Sequence, residues 1–277
     1  MRGVTVSGIC RKVGMSRQNY YARRVRRQSR KVDAALVIGL VRQERGLQPR
    51  LGVRKLQHVL RSALTEAGVE LGRDGLFTLL REANLLVGPL PREWARTTCS
   101  GHDLPVHPNL IRELKVSQPA VVWVADLTYV RTEEDFLFLA LVTDKASRKI
   151  VGYHCGETLA ASGCVAALRM ALASLPAGAR PIHHSDRGTQ YCSRAYVKVL
   201  EERGLPISMT EKNHCAENAL AERMNGILKA EYGLGRKMRS KAQGRAAIHQ
   251  AILLYNERRP HTALGFRTPS VAHSLVE

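Results

Sequence analysis

The stretch from Val121 to Cys155 does most to limit what this chain can fold into. It holds three apolar runs rich in β-branched and aromatic residues, at 121–130 (VVWVADLTYV), 135–143 (DFLFLALVT) and 148–155 (RKIVGYHC), parted by short polar turns. Such runs predict three consecutive antiparallel strands. An alanine- and leucine-rich helix is expected over about 159–174; Pro176 and Gly178 end it, and a short strand (PIHHS) leads to Asp186. A helix over 193–203, a fifth strand over 206–210, a helix from about 216 to 232 and a last helix over about 240–257 follow.

Three strands, helix, strand, helix, strand, helix is the order of an RNase H-like α/β core, a five-stranded mixed sheet flanked by helices, expected over 120–235. A C-terminal basic helix and tail would occupy 236–277. The region before the core reads as all-α. Val6, Ile9, Cys10 and Val13 have helical spacing, Gly14 breaks the helix and Ser16 can cap the next, from Arg17 to about Arg27. Residues 1–32 are therefore expected to form a basic helix-turn-helix or a basic arm. A helix over 33–45 would turn Leu36, Val37, Leu40 and Val41 inward. Pro49 and Gly52 punctuate the chain before a stripe of Val53, Leu56, Val59 and Leu60, and Gly72 precedes a stripe of Leu76, Phe77, Leu79 and Leu80. Short helices joined by glycine turns suit a helix-turn-helix DNA-binding domain over 33–90. The proline-broken stretch over 91–119 reads as a linker.

Charge points to a partner. Forty-three Lys and Arg against 24 Asp and Glu leave +19 at pH 7, which suits a polyanion such as nucleic acid. The first 31 residues hold ten basic residues and no acid. Arg17, Arg23, Arg24, Arg26 and Arg27 on the second helix, Arg54 and Lys55 further on, and Arg258 and Arg259 in the basic tail are candidate DNA contacts. No apolar run approaches the ~20 residues of a membrane span. The six cysteines form no C-x-x-C pair. A cytoplasmic chain with reduced thiols and no membrane partner is expected.

Three acids stand where chemistry could use them. Phosphodiester cleavage needs an activated attacking oxygen and a stabilised leaving oxygen, and two magnesium ions about 3.5–4 Å apart, held by carboxylates, supply both. Asp126 lies mid-strand among apolar residues, where burying a carboxylate is costly unless it is paired or metal-bound; taken alone, it could equally face outward. Asp186 ends the fourth strand and could be a turn former. Glu222 lies on a helix with Asn218, Asn225 and Lys229 at offsets that place all four on one ridge, which is also what an ordinary polar face looks like. His183 and His184, adjacent on a strand, should face opposite ways, one packed and one free to meet DNA or a catalytic neighbour. Glu133, Glu134 and Asp135 fall in a hairpin turn, and Asp144 reads as a turn residue closing the second strand.

The combination is more specific than its parts. WVADLTYV (123–130), SRKIVGY (147–153), HHSDRGTQYCS (183–193), SMTEKNHCAENALAERMNGILKAEY (208–232) and YNERRPHTALGFRTP (255–269) resemble the second-frame (orfB) products of bacterial insertion sequences of the IS-three family. The core of that family is similar to retroviral integrase. LGRDGLFTLLREANLLV (71–87) resembles its helix-turn-helix segment, so the likeness covers nearly the whole chain. It implies a DNA transposase in which Asp126, Asp186 and Glu222, with 35 residues between the last two, are the catalytic and metal-binding triad. Asn218 and Lys229 belong to the same motif and would support substrate placement, and Asn225 joins Lys229 among the candidate DNA contacts. It further implies Mg²⁺ or Mn²⁺ as cofactor, terminal inverted repeats and target DNA as partners, an upstream-frame product or fusion, and a homo-oligomer on DNA in the bacterial cytoplasm, near the nucleoid. A nuclease on the same fold and a non-catalytic DNA-binding regulator are the rival readings. Ala216 and Glu217 depart from the family pattern, beside the triad and outside it.

Overall fold

The structure, a computed structural model, describes residues 5–88, 102–211 and 218–274, with the backbone alone over 26–33. The chain divides into two compact units, one of 1–47 with 51–87 and one of 48–50 with 88–277.

The first unit is helical: α1 (Val6–Lys12), α2 (Arg17–Leu47), α3 (Val53–Glu66) and α4 (Arg73–Glu82). Thr5 caps α1 by accepting from the Gly8 amide at 3.2 Å, and Ser16 accepts from Asn19 at 3.1 Å as α2 begins. Gly14, at φ +64°, makes the turn between them. α2 is a single 31-residue helix, where the sequence suggested two helices meeting near residue 32. The intervening text (QSRKVD) contains neither glycine nor proline, so nothing stops the helix. The core is Val37, Val41, Leu51, Leu56, Leu60, Leu64, Leu76 and Leu80. Leu36 and Phe77, both expected inside, are 42% and 43% exposed, one position off the buried stripe.

The second unit is built on a five-stranded sheet in the order β3-β2-β1-β4-β5. The strands are β1 (Val122–Arg131), β2 (Phe136–Asp144), β3 (Ile150–Gly156), β4 (Ile182–Ser185) and β5 (Ile207–Met209). β1, β2 and β3 run antiparallel, and β4 and β5 continue parallel to β1. Helices α5 (Ala161–Ala173), α6 (Thr189–Cys192) and α7 (Arg194–Glu202) cover one face, with Trp123, Ala125, Leu127, Ala140 and Val142 beneath them. α8 (Ala219–Glu231) and α9 (Lys241–Arg258) cover the other, over Val130, Leu137, Leu139, Leu141 and Ile150. The two-residue period of a strand thus sorts each side chain to one face or the other. A short 3-10 turn (Thr262–Leu264) and α10 (Pro269–Ser274) end the described chain. Gly152 lets α5 approach β3: a Cβ there would lie 2.2 Å from the Ala167 carbonyl.

Each outer strand has some of its free backbone groups occupied, and on β5 a side chain is engaged as well. Pro108 O accepts from Met209 N of β5 at 3.3 Å, and Ser208 Oγ accepts from Leu110 N at 2.9 Å. On β3, the Asn256 amide of α9 pairs with both the N–H and the C=O of Ile150, at 3.0 and 2.9 Å. Arg245 donates to Cys155 O at 2.6 Å.

Candidate active site

Asp126 points to the α8 face, sharing it with Val124 and Val130, and sits beside Leu141 of β2. The carboxylate is half-buried. Its Oδ1 accepts from Leu127 N at 2.9 Å and its Oδ2 from Asn225 Nδ2 at 2.7 Å. Burial first, then the negative fields of Asp186 and Glu222, push its pKa from about 3.8 up to about 7, while the two hydrogen bonds pull it down.

Asp186 follows β4 directly, because β4 runs parallel to β1 and delivers its end beside Asp126. Its Oδ1 accepts from Gly188 N at 3.0 Å, which closes the turn into α6. Glu222 lies in the first turn of α8, exposed to solvent. Among the described residues, no three His, Cys, Asp or Glu side chains are gathered tightly enough to hold a metal ion. The three acids share a field without yet forming a closed ligand shell.

The α8 ridge shows how the helix is fixed to the strand. Asn218 Nδ2 donates to Ala125 O at 3.1 Å, and Asn225 holds Asp126. The Lys229 ammonium stands 4.2 Å from the Tyr129 ring centroid. Burial lowers the Lys229 pKa, while Asp126 raises it. The ridge therefore runs along β1 from Ala125 to Tyr129, with Glu222 between its two amides. Asn218 Oδ1 and Asn225 Oδ1 are both buried without a hydrogen-bond partner. A crowd of oxygen acceptors short of donors fits a hard divalent cation, whose ligands are carboxylate, carbonyl and water oxygens.

The histidines serve packing. His183 and His184 are both buried. His183 Nε2 pairs with Tyr196 OH at 2.8 Å and His184 Nδ1 with Ser208 Oγ at 2.9 Å, so both are packed within the core. Burial, then the neighbouring His184, lowers the His183 pKa to about 3 and keeps it neutral. Asp144 is fully buried and accepts from Ala120 N, Ala146 N, Ser147 N and Ser147 Oγ at 2.7–3.1 Å. It is the turn residue the sequence suggested.

The basic candidates divide. Arg17, Arg23 and Arg24 on α2, Arg54 on α3 and Arg258 on α9 are exposed, and Lys55 is half-buried. The side chains of Arg26 and Arg27 lie outside the described residues, as does the Ala216–Glu217 departure. Arg259 is a correction: it is 3% exposed and bidentate to Glu231 at 2.7 Å on both arms, with His261 Nε2 2.8 Å away. The end of α9 turns it inward onto α8. Lys241 and Arg245, which belong to the basic helix expected over 236–277, pair with Glu157 at 2.9 and 2.6 Å. Asn225 likewise spends its amide on Asp126. One residue escaped the sequence reading altogether: His102 Nε2 lies 2.8 Å from Arg187 O, on the loop after Asp186. It stands in a patternless, proline-broken stretch, and nothing local marked it.

Comparison with known proteins places the chain. Two family models, both described as integrase core domain, match residues 116–215 and 203–269. The chain is 36% identical over 266 residues to the insertion element IS600 uncharacterized 31 kDa protein of Shigella sonnei, covering 95% of this chain and 96% of that one. It is 33% identical to the transposase for insertion sequence element IS629 of Shigella sonnei, over 80% of this chain and 73% of the other. Against transposase InsF for insertion sequence IS3A of Escherichia coli K12 it is 30% identical, over 96% and 92%. A chain of the simian T-cell lymphotropic virus intasome, solved in complex with PP2A regulatory subunit B56 gamma, shares the fold at TM-score 0.50 and 19% identity, covering 80% of this chain and 74% of that one.

Proposed function

The chain belongs to the insertion-sequence transposases of the IS-three family that carry an integrase core domain, and from this we propose that it cleaves DNA at the ends of its element and joins them to a target, with Asp126, Asp186 and Glu222 as the catalytic triad. The observation that carries the reading is the Asp126 carboxylate, kept mid-strand on the α8 face in the fields of two further acids and gripped by Asn225.

Asp126, Asp186 and Glu222 would hold magnesium, or manganese in its place, as a pair of ions in a two-metal site. Bound there, the metal would lower the cost of forming the attacking oxygen and of charging the leaving one. The chain's own residues do the positioning. Asn225 fixes the Asp126 rotamer, Asn218 fastens the first turn of α8 to β1, and the Gly188 amide orients Asp186. Water attack on the phosphodiester at the element's end releases a 3′-hydroxyl. That hydroxyl then attacks a target phosphodiester in line, breaking one P–O bond as another forms. No covalent bond to the protein is required.

Arg17, Arg23, Arg24, Arg26, Arg27, Arg54, Lys55 and Arg258 are proposed to meet DNA phosphates, and Lys229 the strand nearest the triad. Arg259 leaves that set. Double-stranded terminal repeats and target DNA are the proposed substrates, with a homo-oligomer on DNA and an upstream-frame product or fusion as protein partners. The domain division retained is a helical DNA-binding unit before the catalytic core. No helix among the described residues is long and apolar enough to cross a membrane, and a cytoplasmic place near the nucleoid is part of the proposal.

The test is incubation with Mg²⁺ or Mn²⁺ and a labelled duplex carrying an element end. Cleavage plus joining, both lost in Asp126→Asn, supports the transposase. Cleavage without joining would move the assignment to a nuclease, and binding alone to a regulator.

A further inference from the structure

The SRKIVGY run (147–153) has no part in the triad, yet its first residues form an unusual turn. Between β2 and β3 the backbone closes through Arg148 N to Asp144 O at 3.0 Å and Asp144 N to Lys149 O at 2.8 Å. Arg148 sits at φ +65°, in the left-handed region, which costs a side-chain-bearing residue about 1 kcal/mol or more relative to glycine's ease there. Its carbonyl accepts from Tyr255 OH at 2.9 Å, and the same hydroxyl lies 3.1 Å from Met224 Sδ on α8. The turn is thus locked against α8 next to Arg223. Lys145 is tied to the start of β1 through its amide, which donates to Val122 O at 2.9 Å.

Arg148 lies within electrostatic reach of Lys145 on one side and of Arg223 on the other. Lys145 and Arg148 are half-buried and Arg223 is exposed. Burial lowers the pKa of Arg148, and the Arg223 charge adds to the effect; burial and then Arg148 do the same to Lys145. Asp144 attracts Arg148, but its oxygens are filled by Ala120, Ala146 and Ser147. Among the described residues, none of the three forms an ion pair. Mutually repelling, partly desolvated cations on a strained turn are unfavourable in the free protein. An external anion would relieve the repulsion.

We propose that Lys145, Arg148 and Arg223 form a phosphodiester-binding cluster that grips the DNA backbone beside the catalytic centre. Asp144 pairs with Trp123, three residues along β1 from Asp126. At a rise of about 3.3 Å per residue, that puts the start of the turn roughly 10 Å along β1 from Asp126. One DNA strand advances about 3.4 Å per nucleotide, so the cluster holds a phosphate about three nucleotides from the scissile one. The assignment rests on DNA being the substrate and adds which strand segment the core itself holds.

Arg148→Gly separates binding from folding, because glycine accepts φ +65° without strain. The full chain and its variants are titrated with a fluorescent random-sequence duplex across a salt series, with thermal unfolding measured alongside. Arg148→Gly is expected to keep or raise Tm. It should also reduce the slope of log K against log salt by about one, and Lys145→Gln/Arg148→Gly by about two, uniformly across sequences, since each neutralised phosphate contributes about 0.9. Arg148→Lys should restore most of the slope. Folded variants that bind with wild-type affinity and slope overturn the cluster, as does a fall in Tm for Arg148→Gly. A wild-type protein that binds no duplex fails differently, by removing the DNA reading beneath it.

Discussion

Asp126 sets the chemistry of single residues in this protein. Its folded pKa near 7 exceeds its unfolded value of about 3.8, so the folded state binds the proton more tightly. Its contribution to stability is therefore most favourable below about pH 4 and is lost as pH rises towards 7. Asp126→Asn should melt higher than wild type at pH 8, with the gap closing on acidification. Adding Mg²⁺ should raise the wild-type Tm at pH 8 and leave Asp126→Asn nearly unchanged, because a ligand of the native state stabilises only the protein that binds it. A Tm gap that is independent of pH would remove this account. Asn225→Ala should lower turnover about 10–100-fold, as loss of a group orienting a metal ligand does, with DNA affinity and its salt slope unchanged. A changed slope would return Asn225 to the DNA contacts that the sequence suggested. The three acids were named from their combination and from the family resemblance, since each alone reads as an ordinary strand, turn or helix-face residue. What Asn225 touches was not legible: helical offsets tell which side chains share a ridge and leave open what the ridge meets.

Elements were legible where alternation or glycine marked them. β1, β2 and β3 begin and end within a residue or two of the apolar runs, and Gly52 and Gly72 stand immediately before α3 and α4. α2 runs unbroken through the change from basic to apolar composition near residue 32, which marks no boundary in structure. Helices tolerate such a change, and only a breaker ends them. The inward turn at the end of α9 was illegible, since Arg258 and Arg259 are neighbours with the same charge and opposite fates. Arg259→Ala leaves Glu231 partly buried without its partner, and should cost about 3 kcal/mol in chemical denaturation, whereas Arg258→Ala should stay within about 0.5. Equal costs would contradict the assigned pairing. Gly152→Ala would drive a methyl into the Ala167 carbonyl and Ala171. Backbone cannot move aside as a side chain can, so a loss of about 3 kcal/mol and a Tm lower by roughly 6–12 °C are expected. An unchanged Tm would mean that α5 can stand further off β3.

At the scale of the whole molecule, the helical unit and the sheet unit each own a separate buried cluster. Each has what independent folding requires. A fragment spanning 102–277 should therefore unfold cooperatively by circular dichroism while losing most duplex affinity, because the front of the chain carries the densest positive charge. Non-cooperative melting of that fragment would show that the division is only geometric. The partly occupied rims of the sheet have a consequence of another kind. An open strand invites a neighbour's strand to zip onto it, and a highly basic protein gathered along one DNA molecule is held at high local concentration with its copies. Here Pro108 on one flank and Asn256 with Arg245 on the other have already spent some of those bonding positions. Copies of such a chain brought close together would find fewer open positions at either rim on which to start β-stacking.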